Sequence, residues 1–327
     1  MKYVAAIFIG LAVVSAQAAA LLQDDSRQSS ASPLKVILLG TAGGPTSNPQ
    51  RLGISTLVLA GPEVLLFDCG RGVTTGLSRS GIAGADVTRV FLTHLHSDHV
   101  LAIPELYLTA WASEGRSTPF RVSGPSGTQA MMGHLQKAFE FDIHVRRDVD
   151  EKLPAEGIRV VATDIRQGIV YDANGVKVTA FLVDHGPVKP AFGYRVDYRG
   201  RSVVLSGDTT PSDNLVRFAS GVDLLIHEVG RFKQDPALTG PPDDLMPNAR
   251  TTRRQARIVA QHHTDPVEAG QVFARVKPKL AVFSHHNAPP SILTLVRQNY
   301  EGPVELGEDL MTIDVGDTVV VRRFVAN

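Results

Sequence analysis

The sequence has little cysteine, no excess of charge and no long apolar run after its first twenty residues. Cys69 is the only cysteine among 327 residues, so an internal disulfide is excluded. Lys plus Arg (33) equals Asp plus Glu (33), whereas a general nucleic-acid binder normally shows a basic excess. We therefore expect no nucleic-acid partner. Because no later apolar run reaches the length of a membrane span, we also expect no stable membrane insertion.

The first residues have the order of a secretory signal peptide. Lys2 precedes the apolar run "YVAAIFIGLAVV", and the small residues "SAQAAA" follow it. This order predicts cleavage after Ala18 or Ala20 and export to the periplasm or the medium; an uncleaved N-terminal anchor is the alternative. Residues 1–20 are thus assigned to a signal peptide, 21–33 to a polar tether and 34–327 to a single domain, since no low-complexity linker divides that range.

The remaining chain alternates between strand and helix patterns. Residues 34–40, "LKVILLG", and 87–93, "VTRVFLT", are typical of buried strands. Residues 126–140 are predicted to form a helix capped by a serine, and 265–278 a helix with Asp265 as its cap and a proline at its first position. The alternation predicts an α/β fold, in which two sheets face each other and helices cover the outside.

The stretch "THLHSDH" at 93–99 places His94, His96, Asp98 and His99 within seven positions. Serine and aspartate disfavour a helix interior, and so polar a stretch is a poor core strand. Imidazole and carboxylate are standard ligands for zinc and similar dications. The stretch therefore predicts a metal site, with a histidine-rich surface loop as the alternative.

Three further strands end on residues that bind metals. "AFLVDH" ends at His185, "VVLSGD" at Asp208 and "LAVFSH" at His285. Seven ligands exceed the four that one zinc prefers, so we predict two Zn²⁺ ions, with Mn²⁺ or Fe²⁺ possible. The first ion is assigned to His94, His96 and His185; the second to Asp98, His99 and His285; Asp208 bridges them. Two dications can share a hydroxide, which makes hydrolysis the expected chemistry.

With "LLGTAGG", "LLFDCGRG", "GYRV", "SGDT", "LLIHE" and "HHTDPVEAG", these ligand motifs resemble the metallo-β-lactamase superfamily, in particular its ribonuclease Z and arylsulfatase-like branch. The resemblance covers nearly all of 34–315. It implies a four-layer αββα sandwich of the metallo-β-lactamase type, with a dinuclear zinc site at one edge. It also implies that Asp68 orients the metal histidines. Classical zinc β-lactamases lack the bridging aspartate, so Asp208 counts against them.

The motifs "IHE" (226–228) and "HHT" (262–264) resemble the ribonuclease Z pair in which a glutamate orients a proton-donating histidine. The resemblance assigns these roles to Glu228 and His263, with His262 as the alternative histidine. A structural ion pair is the competing interpretation. Together with Asp98, these two residues are the catalytic candidates. Residues 231–257 separate the two motifs and are predicted to form either an arginine-bearing lid or a solvated helix face.

The expected substrate follows from what the chain lacks relative to ribonuclease Z. Enzymes that process tRNA carry a long arm between the ligands matching His185 and Asp208, where this chain has about twenty residues. We therefore predict an exported dinuclear zinc hydrolase whose partner is a small anionic ester, either a phosphodiester or an aryl sulfate. The alternative is a β-lactamase-type lactam hydrolase, and a pre-tRNA 3′ endoribonuclease ranks lower. The oligomeric state is left open.

Overall fold

The computed structural model describes residues 33–230 and 260–325. The signal peptide, almost all of the tether and the predicted lid lie outside these ranges, so those assignments stay predictions. The described residues form fifteen strands: β1 Leu34–Gly40, β2 Ser55–Ala60, β3 Glu63–Phe67, β4 Arg89–Phe91, β5 Phe120–Gly124, β6 Val160–Asp164, β7 Gly168–Ala173, β8 Val176–His185, β9 Val188–Tyr198, β10 Arg201–Leu205, β11 Leu224–Glu228, β12 Leu280–Ser284, β13 Val304–Leu306, β14 Met311–Val315 and β15 Val319–Arg322.

The strands form two sheets. One has eight strands in the order β15-β14-β1-β2-β3-β4-β5-β6, and the other has seven in the order β13-β12-β11-β10-β9-β8-β7. The α-helices in the described ranges are α1 Val73–Ser80, α2 Ser97–Val100, α3 Ile103–Ala112, α4 Thr128–Ala138, α5 Glu140–His144, α6 Asp213–Ala219, α7 Pro266–Val276 and α8 Ile292–Val296. Within those ranges, no helix is long and apolar enough to cross a bilayer.

The apolar residues of β1 show how the layers are built. Leu34, Val36 and Leu38 point into the core between the two sheets. Ile37 and Leu39 point to the opposite face, where they pack with residues of α1, α3 and α4. Successive side chains of a strand alternate between faces, and a strand covered on both sides is apolar throughout. A third cluster places α6, α7 and α8 on the outer face of the second sheet. The predicted four-layer αββα sandwich is confirmed.

Two helix starts show where local prediction succeeds and where it fails. Asp265 caps α7 as predicted, because its Oδ1 accepts a hydrogen bond from the Val267 amide at 2.9 Å. The predicted serine cap of α4 is wrong. Asp164, at the end of β6, instead accepts hydrogen bonds from the amides of Gly127 at 3.1 Å and Gln129 at 2.9 Å. A carboxylate from a neighbouring strand therefore satisfies the donors that a local serine would have served.

The strand directions bring four loops to one edge of the sandwich. β3, β4 and β5 run parallel to one another, as do β10, β11 and β12. The carboxyl ends of parallel neighbours lie at the same edge of a sheet. The candidate site lies on this side of the sandwich. It is formed by the residues that follow β4, β10 and β12 and by those at the end of β11.

Candidate active site

The seven predicted ligands lie together at this edge, in the two groups expected from the sequence. The ligand-type atoms of His94, His96 and His185 all lie within 4.8 Å of one another. The same limit holds for Asp98, His99 and His285 as a second group.

In the first group, the ring nitrogens point at one another. His94 Nε2 lies 3.0 Å from His96 Nδ1, and His185 Nε2 lies 3.3 Å from the same atom. His94 and His185 are buried, whereas His96 is exposed. Burial and the neighbouring His99 lower the pKa of His94, which favours the neutral imidazole that binds metals. The group is therefore a set of neutral nitrogen donors with one side open to solvent.

Asp208 lies between the two groups. Its Oδ2 is 3.4 Å from His99 Nε2 and 3.9 Å from His94 Nε2, and its Oδ1 is 3.3 Å from His285 Nδ1. In the second group, His285 Nε2 lies 3.2 Å from Asp98 Oδ2. Burial would raise the pKa of Asp208, but His285 and His99 outweigh it and hold that pKa well below its ordinary value. An ionised carboxylate between two donor groups has the position of a bridging ligand.

Three buried polar atoms at this point have no hydrogen-bond partner: His99 Nε2, His285 Nδ1 and Asp208 Oδ1. Such atoms are costly in a folded protein unless a partner satisfies them. Imidazole nitrogens and carboxylate oxygens that converge in this way are donor types that bind divalent cations. The residues present therefore fit the metal ions that the family resemblance implies.

The outward nitrogens of three histidines are held by hydrogen bonds. His99 Nδ1 donates to Asp68 Oδ2 at 2.8 Å, and His185 Nδ1 donates to the His262 carbonyl at 2.9 Å. His94 Nδ1 lies 3.0 Å from the hydroxyl of Thr93, which itself donates to Asp68. These contacts fix the ring orientations and leave each Nε2 facing the site. Asp68 has the contact predicted for it. The roles of Thr93 and of the His262 carbonyl were missed, because only the fold brings them to the rings.

Buried Glu228 and partly buried His263 form a pair beside the two groups. His263 Nδ1 lies 3.1 Å from Glu228 Oε2 and 4.0 Å from Asp208 Oδ2. Burial would lower the pKa of His263, but Glu228 and Asp208 outweigh it and raise that pKa to about 9. Of the two histidines of "HHT", His263 therefore contacts the glutamate, whereas His262 contributes its carbonyl to His185. A histidinium held in this way can deliver a proton to a leaving group.

A model described as a β-lactamase superfamily domain matches residues 64–286, which include every candidate ligand from His94 to His285. The chain belongs to the metallo-β-lactamase superfamily. It is a metal-dependent hydrolase, and its histidine and aspartate groups could hold the metal.

Two relatives at 33–35% identity are ribonuclease Z proteins. Ribonuclease Z of Mycobacterium marinum is 33% identical over 296 residues, which are 86% of this chain and 99% of that protein. Ribonuclease Z of Mycobacterium avium is 35% identical over 86% of this chain and 98% of its own length. Among solved structures, human tRNase Z, short form, is 25% identical with a TM-score of 0.62. The match covers 86% of this chain and 99% of that one. The metallo-β-lactamase fold protein YhfI of Bacillus subtilis, at 20% identity and a TM-score of 0.63, shows the shared fold.

These relatives correct two predictions. The predicted main function, hydrolysis of a small anionic ester (phosphodiester or aryl sulfate), is wrong, because the two relatives at 33–35% identity match along nearly their whole length and are named ribonuclease Z. The prediction of no nucleic-acid partner is wrong for the same reason. These predictions rested on a balanced net charge, a missing arm and a signal peptide at the start of the sequence. Net charge averages over the whole surface, and an arm helps to grip RNA without deciding which bond the metal centre cleaves.

Proposed function

We propose that the chain is an endoribonuclease of the ribonuclease Z type, which cleaves a phosphodiester bond near the 3′ end of a precursor tRNA. The observation that carries the proposal is the identity of 33–35% to ribonuclease Z proteins over 98–99% of their length. The geometry of the site supports it, because nitrogen and carboxylate donors for metals lie beside a histidine suited to proton transfer.

For the metal centre, we propose two divalent ions, both Zn²⁺, in the groups described above, with Asp208 shared between them. The unpartnered atoms of His99, His285 and Asp208 support this assignment. When bound, such ions supply Lewis acidity, which neutralises phosphate charge and lowers the pKa of a water molecule. Asp68, Thr93 and the His262 carbonyl hold the histidine rings in orientations that would let them bind these ions.

The chain's own proton donor is His263. Because Nδ1 is engaged by Glu228, the other ring nitrogen, Nε2, carries the proton that can be transferred. Its raised pKa keeps the ring charged at neutral pH, when a departing ribose oxygen needs a proton. The Oε2 atom of Glu228 contacts the His263 ring at Nδ1 and orients the ring before transfer.

The mode of gripping RNA differs from that of arm-bearing ribonucleases. β9 and β10, joined by a tight turn, occupy the segment between His185 and Asp208. We propose that RNA is held against the open side of the site, where His96 is exposed. The compartment is a separate question: export of the protein stays a proposal that rests on residues 1–20, and N-terminal sequencing of the protein from its host would test it.

Cleavage of a labelled precursor tRNA with a 3′ trailer tests the proposed activity. Zinc-loaded protein should release the trailer by one main cut, and chelation should abolish the cut. Asp208→Ala is the inactive control, and an unstructured RNA of the same length measures selectivity. Failure to cleave any RNA by a protein that holds zinc and hydrolyses a chromogenic ester would reject the proposal.

A further inference from the structure

The side chain of Arg51 lies in a polar cluster that joins three distant parts of the chain. Its Nη1 donates to the His286 carbonyl at 2.5 Å, and its Nη2 donates to Thr41 Oγ1 at 2.5 Å. Asp309 Oδ1 accepts from the amide and the hydroxyl of Thr41, at 2.9 and 2.6 Å. Asp309 Oδ2 accepts from the Leu52 amide at 2.5 Å. We call these residues, Thr41, Arg51, His286 and Asp309, the Arg51 cluster.

His286 is committed to this cluster and not to the metal groups. Its side chain is buried, its Nε2 donates to the Gly307 carbonyl at 3.1 Å, and its Nδ1 accepts from the Ala288 amide at 3.3 Å. Its own amide donates to the Thr41 carbonyl at 3.0 Å. Every hydrogen-bonding atom of His286 is thereby used in holding the turn at residues 285–288.

The preceding residue, His285, has an unusual backbone. Its φ is +51°, in the left-handed region that side-chain-bearing residues seldom occupy. Such a conformation persists only where the surroundings hold it, and it is common at functional sites. Here it turns the imidazole toward Asp98 and Asp208. The hydrogen bond from Asn287 Nδ2 to the Gly43 carbonyl, at 2.6 Å, adds a second tie from the turn to the loop after β1.

We infer that Arg51 is a positioning residue for the second metal ion: it holds the His286 carbonyl, and thereby the left-handed His285, against Asp98 and Asp208. The inference rests on the metal centre proposed above. Its physical basis is that a guanidinium supplies two donors in fixed directions, so one side chain can tie the His286 carbonyl to Thr41. A lysine has one compact charge and cannot reproduce both contacts in the same geometry.

Zinc binding without RNA tests the inference. Substitutions around metal ligands typically weaken metal affinity 10- to 100-fold. In a titration against a competing chelator, the unaltered protein should bind two zinc ions. Arg51→Met should weaken one of them 10- to 100-fold and leave the other unchanged, and Arg51→Lys should weaken the same ion. Arg71→Met is the matched control, because Arg71 contacts the Pro45 carbonyl of the same loop and not the turn. It should change neither affinity.

A double-substitution cycle locates the effect. In a His285→Ala background, Arg51→Met should not weaken binding of the second zinc ion any further, because Arg51 is inferred to act on that ion through His285. Unchanged zinc affinities in both Arg51 variants would overturn the inference, as would equal weakening of both ions or a loss confined to RNA binding. If Arg51→Met does not fold, Arg51→Lys decides. Absence of zinc from the unaltered protein would reject the metal centre itself, which is a distinguishable result.

Discussion

One carboxylate oxygen of Glu228 contacts the His263 ring, and the other contacts the backbone of the next residue, Thr264. Its Oε2 lies 3.1 Å from His263 Nδ1, while its Oε1 accepts a hydrogen bond from the Thr264 amide at 2.8 Å. The Thr264 hydroxyl in turn donates to the Thr209 carbonyl at 2.7 Å. One buried carboxylate therefore fixes both the ring of the proposed proton donor and the backbone segment that carries it.

Replacing His263 should slow RNA cleavage far more than hydrolysis of an activated ester. General acids contribute on the order of 100- to 10,000-fold, and the contribution shrinks as the leaving group improves. We therefore expect His263→Ala to lose about that factor on precursor tRNA, and much less on bis(p-nitrophenyl) phosphate. Exposed His134 offers a matched control, His134→Ala, which should change neither rate. Equal losses on the two substrates would show that His263 does not act as the acid.

Glu228 and His263 should behave as one unit. We expect the double variant Glu228→Gln, His263→Ala to be little slower than His263→Ala alone, because the glutamate acts on the leaving group through the histidine. Single-turnover rates on precursor tRNA, with zinc content measured in parallel, would check this. Multiplied losses would assign Glu228 a separate role.

The pH dependence of stability should report the same pair. In the metal-free protein, the pKa of His263 rises from the ordinary 6.5 to about 9. A raised folded-state pKa means that the stabilisation is complete below pH 6.5 and is lost as the pH rises through 9. The stability difference between the unaltered protein and His263→Ala should therefore shrink over this window. Denaturant unfolding at several pH values measures it, and a difference independent of pH would contradict the assignment.

Asp208 should affect both metal ions at once. Because its two oxygens face both donor groups, Asp208→Ala should weaken both zinc ions, whereas His96→Ala should weaken mainly one. Elemental analysis and chelator competition would measure both. Weakening of a single ion in Asp208→Ala would contradict a shared position.

Asp68 should act on the metal centre without contacting it. Its Oδ2 accepts from His99 Nδ1, and its Oδ1 from the Thr93 amide at 2.8 Å. Asp68→Ala should weaken zinc binding about 10- to 100-fold by releasing the His99 ring. The same measurement on Asp164→Ala, which only loses the cap of α4, should show unchanged zinc affinity. Zinc binding unaffected by Asp68→Ala would limit Asp68 to a structural role.

Local patterns in the sequence determined much of the architecture. The continuous apolar runs of β1 and β12 predict strands buried on both faces, and Asp265 followed by proline predicts the start of α7, because each signal concerns neighbours along the chain. "THLHSDH" likewise keeps four candidate ligands together, since seven residues cannot separate them far. The ligand-type residues at the ends of four strands further predicted that these side chains would lie close together.

The tertiary structure decided whatever depends on partners remote in sequence. Asp164, and not a local serine, caps α4, because β6 lies beside that helix. His285 and His286 are adjacent, yet the first turns to the metal groups and the second to Arg51, 235 residues earlier in the chain. Periodicity describes contacts a few residues apart. The left-handed turn at His285 and the contact of Arg51 with it arise only when the loop after β1 packs on the end of β12.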